Sequence, residues 1–251
     1  QELKKDTEEN KETLVSKTIE VLLDNEENKS LDELKKKLNI KVVFGRIKKG
    51  DKLEVAFSKE ILKKGDLVTV VGTENEVNRV IKALGKESDD NLSSNRDELD
   101  IRRVFVSNPE LAGKRLGDLY LPETMGTVIT RIRRGDVDFL PDNDTKLQLG
   151  DRVRILTSSS QLEKVSKFFG DSYKALGEID MLTFSAGIAL GFMFGLIPFT
   201  LPGGIKFQFG IAGGPLIVAM ILGAKGKTGN LVWSMSYSAN LTLRQFGMIL
   251  F

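Results

Sequence analysis

Every acidic residue of this chain lies before position 181. All 35 Asp and Glu fall in the first 180 positions, and from Met181 to Phe251 the only charges are Lys206, Lys225, Lys227 and Arg244. A folded soluble domain keeps its charged side chains at the surface along its whole length. Here two solvents are implied instead: water for residues 1–180 and hydrocarbon for the tail. The chain has no cysteine and no histidine. Disulfides, thiolate zinc sites, His-ligated haem and Ser-His-Asp chemistry are thereby excluded. The remaining Asp, Glu, Lys and Tyr form no convergent catalytic set. No catalytic residue, cofactor or metal site is expected, and the chain is read as a non-enzyme.

Self-comparison organises the charged part. Arg46-Ile47-Lys48-Lys49-Gly50-Asp51 returns as Arg131-Ile132-Arg133-Arg134-Gly135-Asp136, an offset of 136 − 51 = 85. The same offset carries Gly65-Asp66 to Gly150-Asp151, Leu31 and Leu34 to Leu116 and Leu119, and Val68 and Val70 to Val153 and Ile155. A tandem duplication of one α+β domain follows. Each copy should open with a strand (Thr18–Leu23, Arg103–Ser107) and continue with a short helix (Leu31–Leu38, around Leu116–Leu119). A strand ending in Arg-Ile then enters a Gly-Asp hairpin turn, another strand follows Gly65-Asp66 or Gly150-Asp151, and a helix closes each copy (Glu74–Leu84, Ser160–Phe169). The expected boundaries are a charged linker 1–17, domain one 18–85, a polar linker 86–99 and domain two 100–171. The basic turns Lys48-Lys49 and Arg133-Arg134 are either solvated hairpins or contacts for an anion or lipid headgroup. Nucleic acid is not expected, because acids balance the bases and aromatic interleaving is absent.

Copy two, from Val104 through Asn108-Pro109 and Gly113 to Leu119, with Arg131–Asp136, Pro141 and Leu149-Gly150-Asp151, resembles the RCK C-terminal domain of potassium-uptake regulators of the Trk type. Copy one departs from that pattern, having Asn25-Glu26-Glu27 and Asn28 where copy two has Asn108-Pro109-Glu110 and Gly113. The resemblance implies a regulatory ligand or a dimer partner, and copy two, at Asn108, Pro109, Gly113 and Arg131, is the better candidate for it.

The tail, 178–251, reads as an all-α multispanning membrane region with broken helices. Spans are expected at about 182–200 and 207–224, with a third from 241 to 251 cut short. Two spans return the chain to the side it left, so Lys225 and Lys227 join residues 1–180 on the cytosolic side. Gly187, Gly191 and Gly195 recur every four residues, the spacing that lets helices approach closely in lipid. Pro202-Gly203-Gly204 and Gly213-Gly214-Pro215 interrupt the apolar pattern. They mark either close packing with a kink or a break that lines a substrate site. Arg244, with Asn240 and Gln245, is either an interfacial arginine or a counter-charge for a carboxylate.

The stretch from Leu196 through Pro202-Gly203-Gly204 and Ala212-Gly213-Gly214-Pro215 to Gly223, and its continuation Tyr237–Gly247, resembles the aspartate–alanine exchanger family of bacterial antiporters. The resemblance implies a longer plasma-membrane protein of which this chain, opening on Gln1 and ending inside an apolar run, is the central piece. It further implies exchange of small carboxylates or amino acids and a homodimer. The residues expected to bind substrate are Gly203, Gly204, Gly213, Gly214, Pro215, Asn240 and Arg244. The rival expectation is a potassium or other cation transporter, or a channel, regulated by the same domains.

Overall fold

A computed structural model of the protein describes residues 13–22, 30–90, 92, 99–172, 181–200, 206–229, 231–233, 235 and 237–250. The chain divides into two compact units, one of residues 1–105, 115–145 and 151–170, the other of 106–114, 146–150 and 171–251.

In the first unit the duplication is visible strand by strand. Copy one contains β1 (Leu14–Val21), α1 (Leu31–Leu38), β2 (Val43–Lys49), β3 (Lys52–Val55), β4 (Leu67–Thr73), α2 (Glu74–Leu84) and β5 (Gly85–Glu87). Its antiparallel sheet runs β3-β2-β4-β1-β5. Copy two contains β6 (Leu99–Phe105), a 3₁₀ turn (Gly117–Leu119), α3 (Leu121–Met125), β7 (Val128–Arg134), β8 (Val137–Phe139), β9 (Arg152–Ser158) and α4 (Leu162–Phe169). Its sheet runs β8-β7-β9-β6, the order of copy one without the fifth strand. The register repeats as well: Leu14 pairs with Thr73 and Leu99 with Ser158, while Ile47 pairs with Glu54 and Ile132 with Phe139. Even the irregularity in the central ladder recurs, between Phe44 and Ile47 and between Ile129 and Arg131.

Local chemistry explains most of these elements. Gly50 and Gly135 both have φ 60°, which an L side chain adopts at a cost, so the two-residue Gly-Asp turns close the β2–β3 and β7–β8 hairpins. Ser30 caps α1 by accepting from Glu33 N while the Glu33 carboxylate accepts from Ser30 N at 2.8 Å, a capping box. The core of copy one includes Ile19, Val21, Phe44, Ile47, Val68, Val70, Val77 and Val80. The matching residues Val104, Ile132, Val153, Ile155 and Val165 of copy two are fully buried.

Several boundaries move. Leu14–Lys17 belong to β1 and not to a leading linker, because they continue the ladder against β4. Leu99 heads β6, and Lys86 and Glu87 pair with β1, so both ends of the expected 86–99 linker are structured. Leu23 and Asn25–Asn28 lie outside the described residues. The helix expected at Leu116–Leu119 is a 3₁₀ turn. Pro122 prevents an α-helix from continuing, since its ring would strike the carbonyl of Asp118. The chain restarts through Tyr120 at φ 47° with Pro122 in the first turn of α3.

The two sheets of the first unit pack through a second apolar cluster. Leu53 and Val55 of copy one meet Leu99 and Leu156 of copy two, with Leu92 between them in sequence. Two polar contacts, one buried and one part-buried, fix the geometry. Arg46 Nη2 donates to the carbonyl of Leu99 at 3.2 Å, and Arg131 Nη2 donates to that of Leu14 at 2.8 Å. Arg46 and Arg131 are 85 apart, and so are Leu14 and Leu99. Contact i to j in one direction is matched by j to i in the other, the signature of a two-fold axis. The duplicated copies therefore form a pseudo-dimer within one chain.

The second unit holds α5 (Met181–Leu196), α6 (Gly210–Lys225) and α7 (Tyr237–Leu250), with short ladders Phe199–Thr200 against Lys206–Phe207 and Lys227–Thr228 against Leu231–Val232. Among the described residues no helix is long and apolar enough to cross a membrane. The spans expected at 182–200 and 207–224 are shortened to 16 residues each. At 1.5 Å per residue each is about 24 Å long, against about 30 Å of hydrocarbon. Phe199–Thr200 and Phe207, inside the expected spans, are instead in strands that pair Phe199 with Phe207 and Thr200 with Lys206. The third helix starts at Tyr237, four residues before the expected 241.

Candidate functional site

A cleft of about 140 Å³ opens between the two copies inside the first unit. Its walls come in equivalent pairs, Leu31 with Leu116, Phe44 with Ile129 and Ser58 with Asn143, each pair 85 apart. The pseudo-two-fold axis therefore runs through it. Leu31 and Lys35 reach it from α1, whose first turn is fixed by the Ser30 cap. Phe44 and Ile129 come from the central strands, and Leu121 and Pro122 from α3.

Lys35 breaks the symmetry. Its Nζ lies 5.7 Å from the Phe44 ring centroid. Burial holds its pKa below the ordinary lysine value, with Asp32 opposing the shift. Its counterpart across the axis is Tyr120, which is exposed. A largely apolar cleft with one partly desolvated ammonium, and with Asp142 and Asn143 also in its wall, suits a small ligand with an apolar part and polar or charged groups.

The four residues expected to take a regulatory ligand do not line this cleft. Asn108 caps the Pro109–Leu111 turn, accepting from Glu110 N at 3.0 Å. The Pro109 carbonyl accepts from Lys227 Nζ at 3.2 Å. Gly113, at φ 79°, donates its N–H to Leu147. Arg131 lines a second, arginine-rich cleft on the sheet of copy two. The interdomain cleft escapes a reading of motifs because its walls are ordinary apolar strand and helix residues. Its one sequence signal is that two of these pairs, Leu31 with Leu116 and Phe44 with Ile129, stay apolar in both copies while Ser58 and Asn143 stay polar.

In the second unit the glycines do what their spacing suggests, with one exception. A Cβ at Gly191 would fall 2.9 Å from Pro215 Cβ, and one at Gly195 or Gly214 would overlap the backbone of the facing helix. All three glycines are buried. Gly187 faces open space and takes no part in the contact. At the hairpin end Phe194 stacks on Phe209 with centroids 5.5 Å apart, and Phe207 meets Phe209 edge-on at 4.9 Å.

Of the two readings of Gly213-Gly214-Pro215, close packing or a break, the break is not there: α6 runs from Gly210 to Lys225 with Pro215 inside it. The first four N–H groups of a helix have no partner in any case, and Pro215 is its sixth residue, so the ring removes only one bond, to Ile211. Asn240 and Arg244 lie one turn apart on α7, both exposed. Gly203 and Gly204 lie outside the described residues.

Comparison with known proteins fits both halves. Residues 101–170 match the family model of the TrkA-C domain, and residues 183–251 match that of Asp-Al_Ex, the predicted permease membrane region. A protein of Geobacter sulfurreducens named as an uncharacterized transporter is 50% identical over 240 residues, covering 96% of this chain and 44% of the relative. Proteins of the same description from Symbiobacterium thermophilum and Corynebacterium glutamicum are 44% and 42% identical, covering 39% and 41% of those relatives. The chain thus spans about two fifths of the length of the curated relatives it matches. A solved structure of the GsuK RCK domain covers 64% of each chain at 10% identity and a TM-score of 0.30, too distant to bear on function. Residues 101–170 are thus similar to a TrkA-C domain and residues 183–251 to a predicted permease membrane region, within relatives named as transporters.

Proposed function

We propose that this chain is the central part of a bacterial plasma-membrane antiporter that exchanges small carboxylates or amino acids. In this reading residues 1–180 are cytosolic and sense a small ligand. The observation that carries it is the joining, in one chain, of a TrkA-C match to a permease membrane-region match with transporter relatives on both. The tail contributes helices rather than catalytic groups, so the protein moves solutes and performs no chemistry on them. The glycine-packed α5–α6 pair provides close backbone approach, and Gly203, Gly204, Gly213, Gly214 and Pro215 contribute to the substrate site, as small residues do in secondary transporters. Arg244, with Asn240, serves as the counter-charge for the carboxylate. The interdomain cleft takes the regulatory ligand, with Lys35 meeting its anionic group, and a homodimer completes the assembly.

Counterflow in proteoliposomes tests this. The intact transporter, loaded with unlabelled aspartate, alanine or succinate, should take up the labelled partner, and Arg244→Gln should abolish uptake. Absence of counterflow with every small carboxylate overturns the reading. The TrkA-C match also favours a second reading, a cation transporter, for which rubidium uptake without carboxylate exchange is the expected result.

A further inference from the structure

The tandem copies share strand order, register and bulge, yet one face of their sheets has diverged in chemistry. In copy two, Arg103 on β6 pairs across the ladder with Arg154 on β9, which pairs with Arg131 on β7. In the next row Arg152 on β9 stands opposite Arg133 on β7. Like charges directly opposite on neighbouring strands repel. Five guanidinium groups line one cleft with a single carboxylate, Asp138, whose Oδ2 is 3.8 Å from Arg131 Nη1.

Arg131 also bonds the carbonyl of Leu14 at 2.8 Å, but the other four arginines are not consumed by protein contacts of that kind. Among the described residues Arg103 and Arg154 make no ion pair. Arg133 bonds only the carbonyl of Gly135, at 3.3 Å, and Arg152 lies over the Phe105 ring, 5.2 Å from its centroid. Burial, with Arg131 and Arg103 nearby, pushes the Arg154 pKa down from its ordinary value.

Arg131 apart, which joins the two copies through Leu14, the fold does not need them. The positions 85 residues earlier are Thr18, Arg46, Lys48, Leu67 and Thr69, and Asp138 is matched by Leu53. In copy one Leu53 is buried in the inter-copy cluster and Leu67 packs against it. One half of the pseudo-symmetric interface is thus closed by apolar side chains, while the other half is left open and cationic. Repulsion of this kind is tolerated where an anion relieves it.

The geometry points to a phosphate-binding site on the arginine-bearing face of β6, β9 and β7, with Arg103, Arg131 and Arg154 in the upper row and Arg133 and Arg152 in the next. The cleft holds about 70 Å³, room for one tetrahedral oxyanion or two waters at about 30 Å³ each. Arginine forks match phosphate oxygens two at a time, which lysines do not. The site lies in copy two alone and stands whether or not the transported solute is a carboxylate. The shared chemistry is a phosphate group, either as the free ion or as the headgroup of an anionic lipid.

The test uses the full-length transporter purified in detergent in phosphate-free, low-salt buffer. Inorganic phosphate, titrated against matched chloride, should raise the melting temperature along a saturating curve. Arg154→Gln and Arg103→Gln should each weaken apparent affinity at least tenfold. Without phosphate, Arg154→Gln should melt no lower than wild type, because it relieves repulsion. Arg154→Lys keeps the charge, secures a folded comparison and should still bind more weakly. Arg79→Gln, on α2, should bind as wild type does. In a second arm, nanodiscs of phosphatidylglycerol should stabilise wild type over nanodiscs of phosphatidylcholine, and Arg154→Gln should erase the difference if the source is lipid. Saturation by the free ion alone assigns it to phosphate, and a difference between nanodiscs alone assigns it to lipid. A curve that survives both arginine substitutions, or no saturable effect in either arm, overturns the site.

Discussion

Arg46 and Arg131 occupy the same place in the two copies but differ in surroundings. Arg46 is 2% exposed and sits against an apolar cluster, where its bond to the Leu99 carbonyl has little competition from water. Arg131 faces the arginine cleft, and its bond to Leu14 is more open to solvent. Arg46→Ala should cost about 2–4 kcal/mol, from lost packing and an unsatisfied carbonyl, and Arg131→Ala about 1 kcal/mol, read by urea unfolding. Arg134 and Asp151 form an ion pair in copy two, bidentate at 2.8 Å on both arms, with Asp151 buried. Breaking a fully buried pair costs about 3–5 kcal/mol, and because Arg134 is 34% exposed, Arg134→Ala should cost about 2–3 kcal/mol. Lys35 sets a pH dependence. Its folded pKa lies below its unfolded one, so the unfolded chain binds the extra proton between the two values. Stability should therefore rise with pH across that window, and Lys35→Met should raise stability at neutral pH and flatten the rise.

At the scale of elements, the hairpin turns and helix caps follow from Gly-Asp, Ser30 and Pro122, each a local rule with one outcome. The α5–α6 contact does not follow so directly. Gly187, Gly191 and Gly195 share one spacing, yet only the last two meet α6, since a Cβ at Gly187 would find nothing within 4 Å. Gly214→Ala should therefore push the helices apart and lower the melting temperature of the intact transporter. Gly187→Ala should be neutral or stabilising by up to about 1 kcal/mol, the usual helix preference of alanine over glycine. Equal losses from both substitutions would mean that the contact extends further along α5 than it does here.

For the whole chain, the decisive feature is that duplication produced a dimer-like interface inside one polypeptide. A protease site inserted between Leu92 and Leu99 should leave the two halves associated after cleavage, as judged by co-elution. Leu156→Asp, placed in the shared cluster, should release them. Separation of the wild-type halves on cleavage would show that the linker, not the cluster, holds the copies together.

The repeat, its offset and the division into a charged part and an apolar part are properties of residue order alone. Periodicity, turn chemistry and the absence of acidic residues after Asp180 fix them before any long-range contact forms. The resemblance to the exchanger membrane region was legible too, in the glycine and proline strings. Three things were decided only in three dimensions: the axis relating the copies, the cleft that it creates, and the continuity of α6 through Pro215. Each depends on which outward face of one element meets another far away in the chain. Arg103 and Arg154 illustrate why, since as isolated letters they are two surface arginines among many, and only the strand register sets them opposite one another.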